Sequence, residues 1–198
     1  MKKYILFLFC LILLCGCNKN PKENPIVTMD IKDYGTITIE LYPKIAKNTV
    51  ANFVNLIEDG FYDNNNFHRL VKGFALQGGD PTATGMGGPG YTIKGEFSLN
   101  GYTNKLSHVT GVVSMARSQE YNSAGSQFFI VLSDNYTSTL DGSYAGFGKV
   151  IKGMDIITKI GNDDFEYEDE EMGILKNPII IEKVVVDTKD DEYKVKKY

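Results

Sequence analysis

The sequence predicts a mostly β domain, a closed antiparallel β-barrel capped by two α-helices. Short apolar strand runs recur along the chain, glycine-rich turns separate them, and only two stretches keep helical spacing. About 160 residues, 26–187, take part without an internal repeat, which by length is one domain.

Ile26–Ile31 and Thr36–Leu41 alternate β-branched with polar residues around Asp33-Tyr34-Gly35, as a hairpin requires. Ala46 to Asp59 sets Val50, Phe53, Val54 and Ile57 at helical spacing, and Gly60 is the stop. Strands are expected at 67–71, 73–77, 109–116, 127–132, 145–150 and 179–187. A second helix fits 154–160, where Met154, Ile157 and Ile160 share a face. The acidic run 163–171 lacks the ligand spacing of a calcium loop and reads as a solvated connection. Residues 188–198 form a charged C-terminal tail without a core face, and fraying is expected.

At the amino terminus Lys2 and Lys3 precede an apolar run from Tyr4 to Leu14, then Cys15-Gly16-Cys17. A charged start, a short apolar stretch and small residues describe a secretory signal. The run is shorter than the ~20 residues a spanning helix needs. Leu14-Cys15-Gly16-Cys17 resembles the bacterial lipobox, in which a cysteine is acylated and becomes the first mature residue. The expected division is therefore a lipoprotein signal peptide at 1–16, a lipidated Cys17 and tether over 17–25, the domain at 26–187 and the tail. An ordinary cleaved signal and an uncleaved anchor are the competing readings. With Cys10 and Cys15 removed and Cys17 acylated, no thiol remains in the body, so no disulfide framework is possible. Acyl chains contribute ~0.8 kcal/mol per buried methylene, and two or more hold a protein at a bilayer. The place this implies is outside the cytoplasmic membrane, anchored through lipid.

Without the two signal lysines, 19 basic face 25 acidic side chains. A basic face for backbone phosphates is therefore not available, and nucleic acid is excluded as a partner. Gly85-Met86-Gly87-Gly88-Pro89-Gly90 satisfies G-x-G-x-x-G in letters, but Tyr91-Thr92-Ile93 follows where a dinucleotide site needs a helix. No serine sits in G-x-S-x-G. His68 and His108 stand forty residues apart with no carboxylate or thiol clustered beside them, so no metal site is expected, and each reads as a structural hydrogen-bonder.

Two stretches carry the chemistry. Asn66 to Gln77 holds Arg69, two phenylalanines and a glutamine in apolar company, and Gly125-Ser126-Gln127-Phe128-Phe129-Ile130 is its partner. A fixed cation and an amide beside aromatic walls suit a reaction driven by electrostatics and shape. Taken singly, Phe74 and Phe129 read as core packing; an arginine in an apolar strand needs a purpose.

At Phe67-His68-Arg69, Gly73-Phe74, Gln77-Gly78-Gly79-Asp80, Ser114-Met115-Ala116, Ser126-Gln127-Phe128-Phe129-Ile130, Leu140-Asp141-Gly142 and Phe147-Gly148-Lys149-Val150 the chain resembles the cyclophilins, peptidyl-prolyl cis–trans isomerases. The likeness spans almost all of 26–187 in the right order. It implies an eight-stranded barrel with two helices and proline-containing polypeptides as partners; no cofactor is expected, a monomer is the default, and the amino terminus makes those polypeptides newly exported ones. It assigns catalysis to Arg69, Phe74, Gln77 and Phe129, and substrate binding to Ala116, Arg117, Gln127, Leu140 and Tyr144. In that assignment Phe74, Phe129 and Leu140 grip the proline ring, Gln77 positions Arg69 and the substrate carbonyl, and Gln127 with the backbone of Ala116 and Arg117 holds the flanking peptide. Four positions depart from the family: Ala75 for a methionine, Arg117 for an asparagine, Thr139 for a tryptophan and Tyr144 for a histidine. Because the tryptophan and histidine contribute to cyclosporin binding, weak drug sensitivity is implied. The other reading, from a different class, is a lipid-anchored peptide-binding or chaperone module without turnover.

Overall fold

In the computed structural model, which describes residues 23–198, alternation of side chains builds the wall strand by strand. The readings made for Cys17 and the signal segment fall outside the described residues. Strand β1 (Ile26–Ile31) buries Val27, Met29 and Ile31, and β2 (Gly35–Leu41) buries Ile37, Ile39 and Leu41. The two pair antiparallel as the predicted hairpin. There follow α1 (Lys47–Glu58), β3 (Asn65–Val71), β4 (Ala75–Gly78), β5 (Val112–Met115), β6 (Phe128–Val131), a one-turn helix α2 (Thr137–Leu140), β7 (Gly146–Lys152), α3 (Met154–Asn162), β8 (Tyr167–Asp169) and β9 (Ile174–Asp187). The pairing order is β1-β2-β7-β5-β6-β4-β3-β9, and β9 pairs back onto β1. Eight antiparallel strands thus close a barrel, which removes free edges from the ring. The ninth, β8, attaches outside it, to β9.

The apolar faces of α1 and α3 pack on the barrel core, where Phe53 meets Phe128 and Phe147 at centroid separations of 5.4 and 5.0 Å. To the two helices expected, the structure adds α2, a single turn too short to leave a periodic signal.

Along the wall one parity points into the barrel and the other outward. Leu76, Val113, Met115, Phe128 and Ile130 belong to the core, whereas Ala75, Val112, Phe129 and Val131 form a separate outer cluster with Leu140. Strand β3 breaks that parity once. Phe67 pairs with Gly78 and Arg69 with Gln77, so His68 is an extra residue, a β-bulge. Phe67 and Leu70, three apart, therefore both enter the core, and Arg69 turns out of it. An unbulged strand would have sent Arg69 to the same side as Phe67.

Three expectations need correction. The segment 188–198 does not fray: Tyr193 and Val195 pack against the core, and Asn48 exchanges two hydrogen bonds with the Lys196 backbone, at 3.0 and 2.7 Å. The acidic run is not only a solvated loop, since β8 lies in it and makes a hairpin arm with the start of β9. Finally, β9 begins at Ile174, upstream of Pro178. Its register against β3 jumps from Ile179 to Ile174 across that proline, so no ladder donor is asked of it.

Candidate active site

The outer cluster floors a small hollow of about 120 Å³, lined by Arg69, Phe74, Gln77, Ala116, Phe129 and Leu140, with Ala75, Arg117 and Tyr144 completing its rim. Strand register brings these residues together, for Gln77 faces Arg69 on one side and Phe129 on the other. Phe129 and Leu140 are almost wholly buried, and the Tyr144 ring stands edge-on to Phe129 at 5.6 Å. Phe74 is half-buried and rests edge-on against Tyr136 at 4.6 Å.

Arg69 is anchored twice. Its Nε donates to the Met172 carbonyl at 2.7 Å and its Nη1 to Gln77 Oε1 at 3.1 Å. Both acceptors are neutral, and among the described residues no carboxylate forms an ion pair with it. The guanidinium field is therefore left for a ligand. Burial draws its pKa down, against a smaller opposing effect of Tyr144, yet a guanidinium remains charged at neutral pH.

The amides continue the chain. Gln77 Nε2 donates to Gln127 Oε1 at 2.9 Å, and Gln127 Nε2 donates to the carbonyls of Gly85 and Gly87, both at 2.9 Å. Gln77 is thereby oriented with its oxygen towards Arg69. Gln127 lines a larger neighbouring hollow of about 670 Å³ under the 85–92 loop, not the small one. The two hollows share Gln77, Ala116 and Arg117 in their linings and so lie side by side. Arg117 folds back among three rings, 5.1 Å from Phe97, 5.2 Å from Tyr121 and 4.8 Å from Tyr144, and its Nε donates to the Ser143 carbonyl at 3.0 Å.

The reading that left His108 without a carboxylate is overturned. Its Nδ1 lies 2.8 Å from Asp141 Oδ1 and its Nε2 lies 2.9 Å from Ser114 Oγ. This is the order of groups in a serine nucleophile's relay. Ser114 is completely buried, however, so its hydroxyl cannot meet a substrate. The His108 ring lies nearly parallel to Phe129, 18° between planes and 6.4 Å between centroids, so the relay backs the hollow. Nothing in the sequence joined residues 108 and 141. The Met172 carbonyl was equally invisible, because a backbone acceptor leaves no mark on residue type.

Comparison with known proteins identifies the family. The family described as "Cyclophilin type peptidyl-prolyl cis-trans isomerase/CLD" matches residues 26–186. Peptidyl-prolyl cis-trans isomerase B of Bacillus subtilis (strain 168) is 45% identical over 134 residues, covering 68% of this chain and 89% of that protein. A peptidyl-prolyl cis-trans isomerase of Helicobacter pylori is 43% identical over 132 residues, 66% of this chain and 77% of its own. Among solved structures, a Cryptosporidium parvum cyclophilin type peptidyl-prolyl cis-trans isomerase, in the presence of dipeptide Ala-Pro, superposes with a TM-score of 0.71 at 33% identity, covering 82% of this chain and 98% of that one.

Proposed function

The chain belongs to the cyclophilin-type peptidyl-prolyl cis–trans isomerase family, and from that premise we propose that Arg69 is the group that speeds the rotation, and that the protein, held at the membrane by lipid on Cys17, acts on exported polypeptides. Rotation about a peptide bond faces a barrier of ~18–20 kcal/mol because amide resonance must be broken. Before proline the two isomers are nearly balanced but exchange in tens to hundreds of seconds. In the twisted transition state the prolyl nitrogen becomes pyramidal and regains its lone pair. A donor aimed at that nitrogen binds the twisted form better than either planar form, and only such differential binding accelerates the step.

The observation that carries the assignment is Arg69, unpaired with any carboxylate among the described residues, lining a hollow of about 120 Å³ whose apolar side is Phe74, Phe129 and Leu140. Phe74, Phe129 and Leu140 grip the ring, and Gln77 holds Arg69 while remaining near the substrate carbonyl. Ala116, Arg117, Gln127 and Tyr144 border the path of the flanking peptide. The Ala-Pro dipeptide accompanying the similar structure supports a proline ring in this hollow.

Arg69→Ala removes the differential term and should lower turnover on a proline tetrapeptide by about 10²–10³ while the thermal transition is kept. Near-normal turnover would remove Arg69 from the mechanism, and peptide binding with unaltered isomer exchange in both proteins would favour a binding module. For location, the lipobox-like Leu14-Cys15-Gly16-Cys17 supports acylation of Cys17. Cys17→Ser should move the protein from the membrane fraction to the soluble one; retention would mean that the apolar segment is itself the anchor.

A further inference from the structure

The hairpin arm of β8 and β9 reaches the catalytic cation. Asp169 closes it: its Oδ1 accepts from the Met172 backbone N–H at 2.9 Å. The Met172 carbonyl then accepts from Arg69 Nε at 2.7 Å. The turn is locked against β3 next to Arg69, because the Leu70 N–H donates to the Gly173 carbonyl at 2.8 Å. Gly173 is required there, with φ +72°, and a Cβ on it would stand 2.5 Å from the Leu70 carbonyl oxygen. The ion pairs along the arm, Lys72–Asp164 and Lys176–Glu166, are solvent-exposed and add little rigidity. Register agrees, since Ile174 of β9 pairs with Arg69 on one side and Asp169 on the other.

We propose that Asp169 is a positioning residue for the isomerase: its carboxylate oxygen fixes the Met172 N–H and with it the 169–173 turn, in which the next peptide unit, itself tied by the Gly173 N–H to the Glu170 carbonyl at 3.2 Å, presents the Met172 carbonyl that holds the Arg69 guanidinium at the proline hollow. The proposal deepens the isomerase reading and rests on Arg69 being the catalytic cation. Gln77 alone would leave the guanidinium free to swing about a single hydrogen bond; with the second anchor the planar fork has one orientation. Orientation of a donor counts mainly in the transition state, so its loss lowers kcat and spares KM.

Two substitutions separate the hydrogen bond from the charge. Asp169→Ala removes the acceptor and should reduce kcat about three- to tenfold, the factor corresponding to one net hydrogen bond, with KM unchanged. Asp169→Asn keeps an acceptor without the charge and should restore turnover. In an Arg69→Ala background, Asp169→Ala should have no further effect, because it acts only through the missing side chain. Unchanged turnover in Asp169→Ala, equal losses in the Ala and Asn variants, or an additive loss in the double variant would each overturn the proposal. Arg69→Ala retaining activity is a distinct outcome that sinks the catalytic reading itself, and the proposal with it.

Discussion

Because His68 takes the extra position in β3, Arg69 leaves the barrel interior and joins the outer face that Gln77 and Phe129 share. His68 itself is completely buried, and its ring nitrogens have no partner among the described residues. The residue types at the site were legible in the sequence, since an arginine, an amide and aromatic residues in apolar strands ask for a common purpose. The bulge was not: Phe67 to Val71 reads as an uninterrupted strand, and only the ladder shows the added residue. The structural hydrogen bonding expected of both histidines is met at His108 and not at His68, and the carboxylate partner of His108 was hidden because it arrives from thirty-three positions away. Asp141 accepts from the His108 N–H at 2.7 Å, from His108 Nδ1 at 2.8 Å and from Ser107 Oγ at 2.8 Å. Asp141→Ala should therefore destabilise the fold by about 2–3 kcal/mol, the cost of leaving buried donors unmet, read as a lower urea midpoint. Since Leu140 precedes Asp141, kcat/KM should fall as well. Asp141→Asn, which retains an acceptor for the backbone donor, should recover part of both; a neutral Asp141→Ala would show that the relay is dispensable.

Elements differed in how plainly they announced themselves. The first hairpin, α1 and α3 were readable from period alone, because each buries one continuous face. The C-terminal segment was not, since seven of the eleven residues 188–198 carry charge and conceal an apolar pair, Tyr193 and Val195, spaced as on a strand. That i, i+2 spacing was the available signal. The segment is held by side-chain amides of α1: Asn55 Nδ2 donates to the Tyr193 carbonyl at 2.8 Å, and Asn48 pairs with Lys196. Its end reaches the rim of the larger hollow, where the Tyr198 N–H donates to the Thr92 carbonyl at 2.7 Å. Deleting 188–198 should cost about 2 kcal/mol and lower the thermal midpoint by about 4–8 °C, given the entropy of unfolding of a domain this size. Turnover on a short proline peptide should hold, because no residue of the segment lines the small hollow. An unchanged midpoint would mean that the contacts contribute nothing net.

For the molecule as a whole, the barrel separates the core, inside the ring, from the candidate site, on its outer wall. That separation gives the pH dependence a definite sign. Burial lowers the pKa of His68, with the Asp80 charge opposing and Arg69 assisting. Burial also lowers that of His108, against the hydrogen bond and charge of Asp141. Both rings are thus neutral in the folded protein where the unfolded chain begins to protonate, near pH 6.5. The unfolded state binds more protons below that point, so the histidines contribute fully above about pH 6.5 and lose their contribution as pH falls. The slope is at most ~1.4 kcal/mol per pH unit for each ring. A second loss begins near pH 4. There burial would raise the Asp80 pKa, but hydrogen bonds from Thr82, Gly87 and Gly85 outweigh it and hold the carboxyl low. Asp141 is held low in the same way by His108 and Ser107. Urea midpoints should therefore be level from pH 8 to 7, decline from about 6.5, and steepen below about 4. Turnover of the folded enzyme should stay nearly flat from pH 6 to 8, because rotation transfers no proton and Arg69 keeps its charge throughout. A bell-shaped rate over that range would place a histidine in the chemistry, and midpoints rising as the solution is acidified would mean that the rings are charged inside the fold.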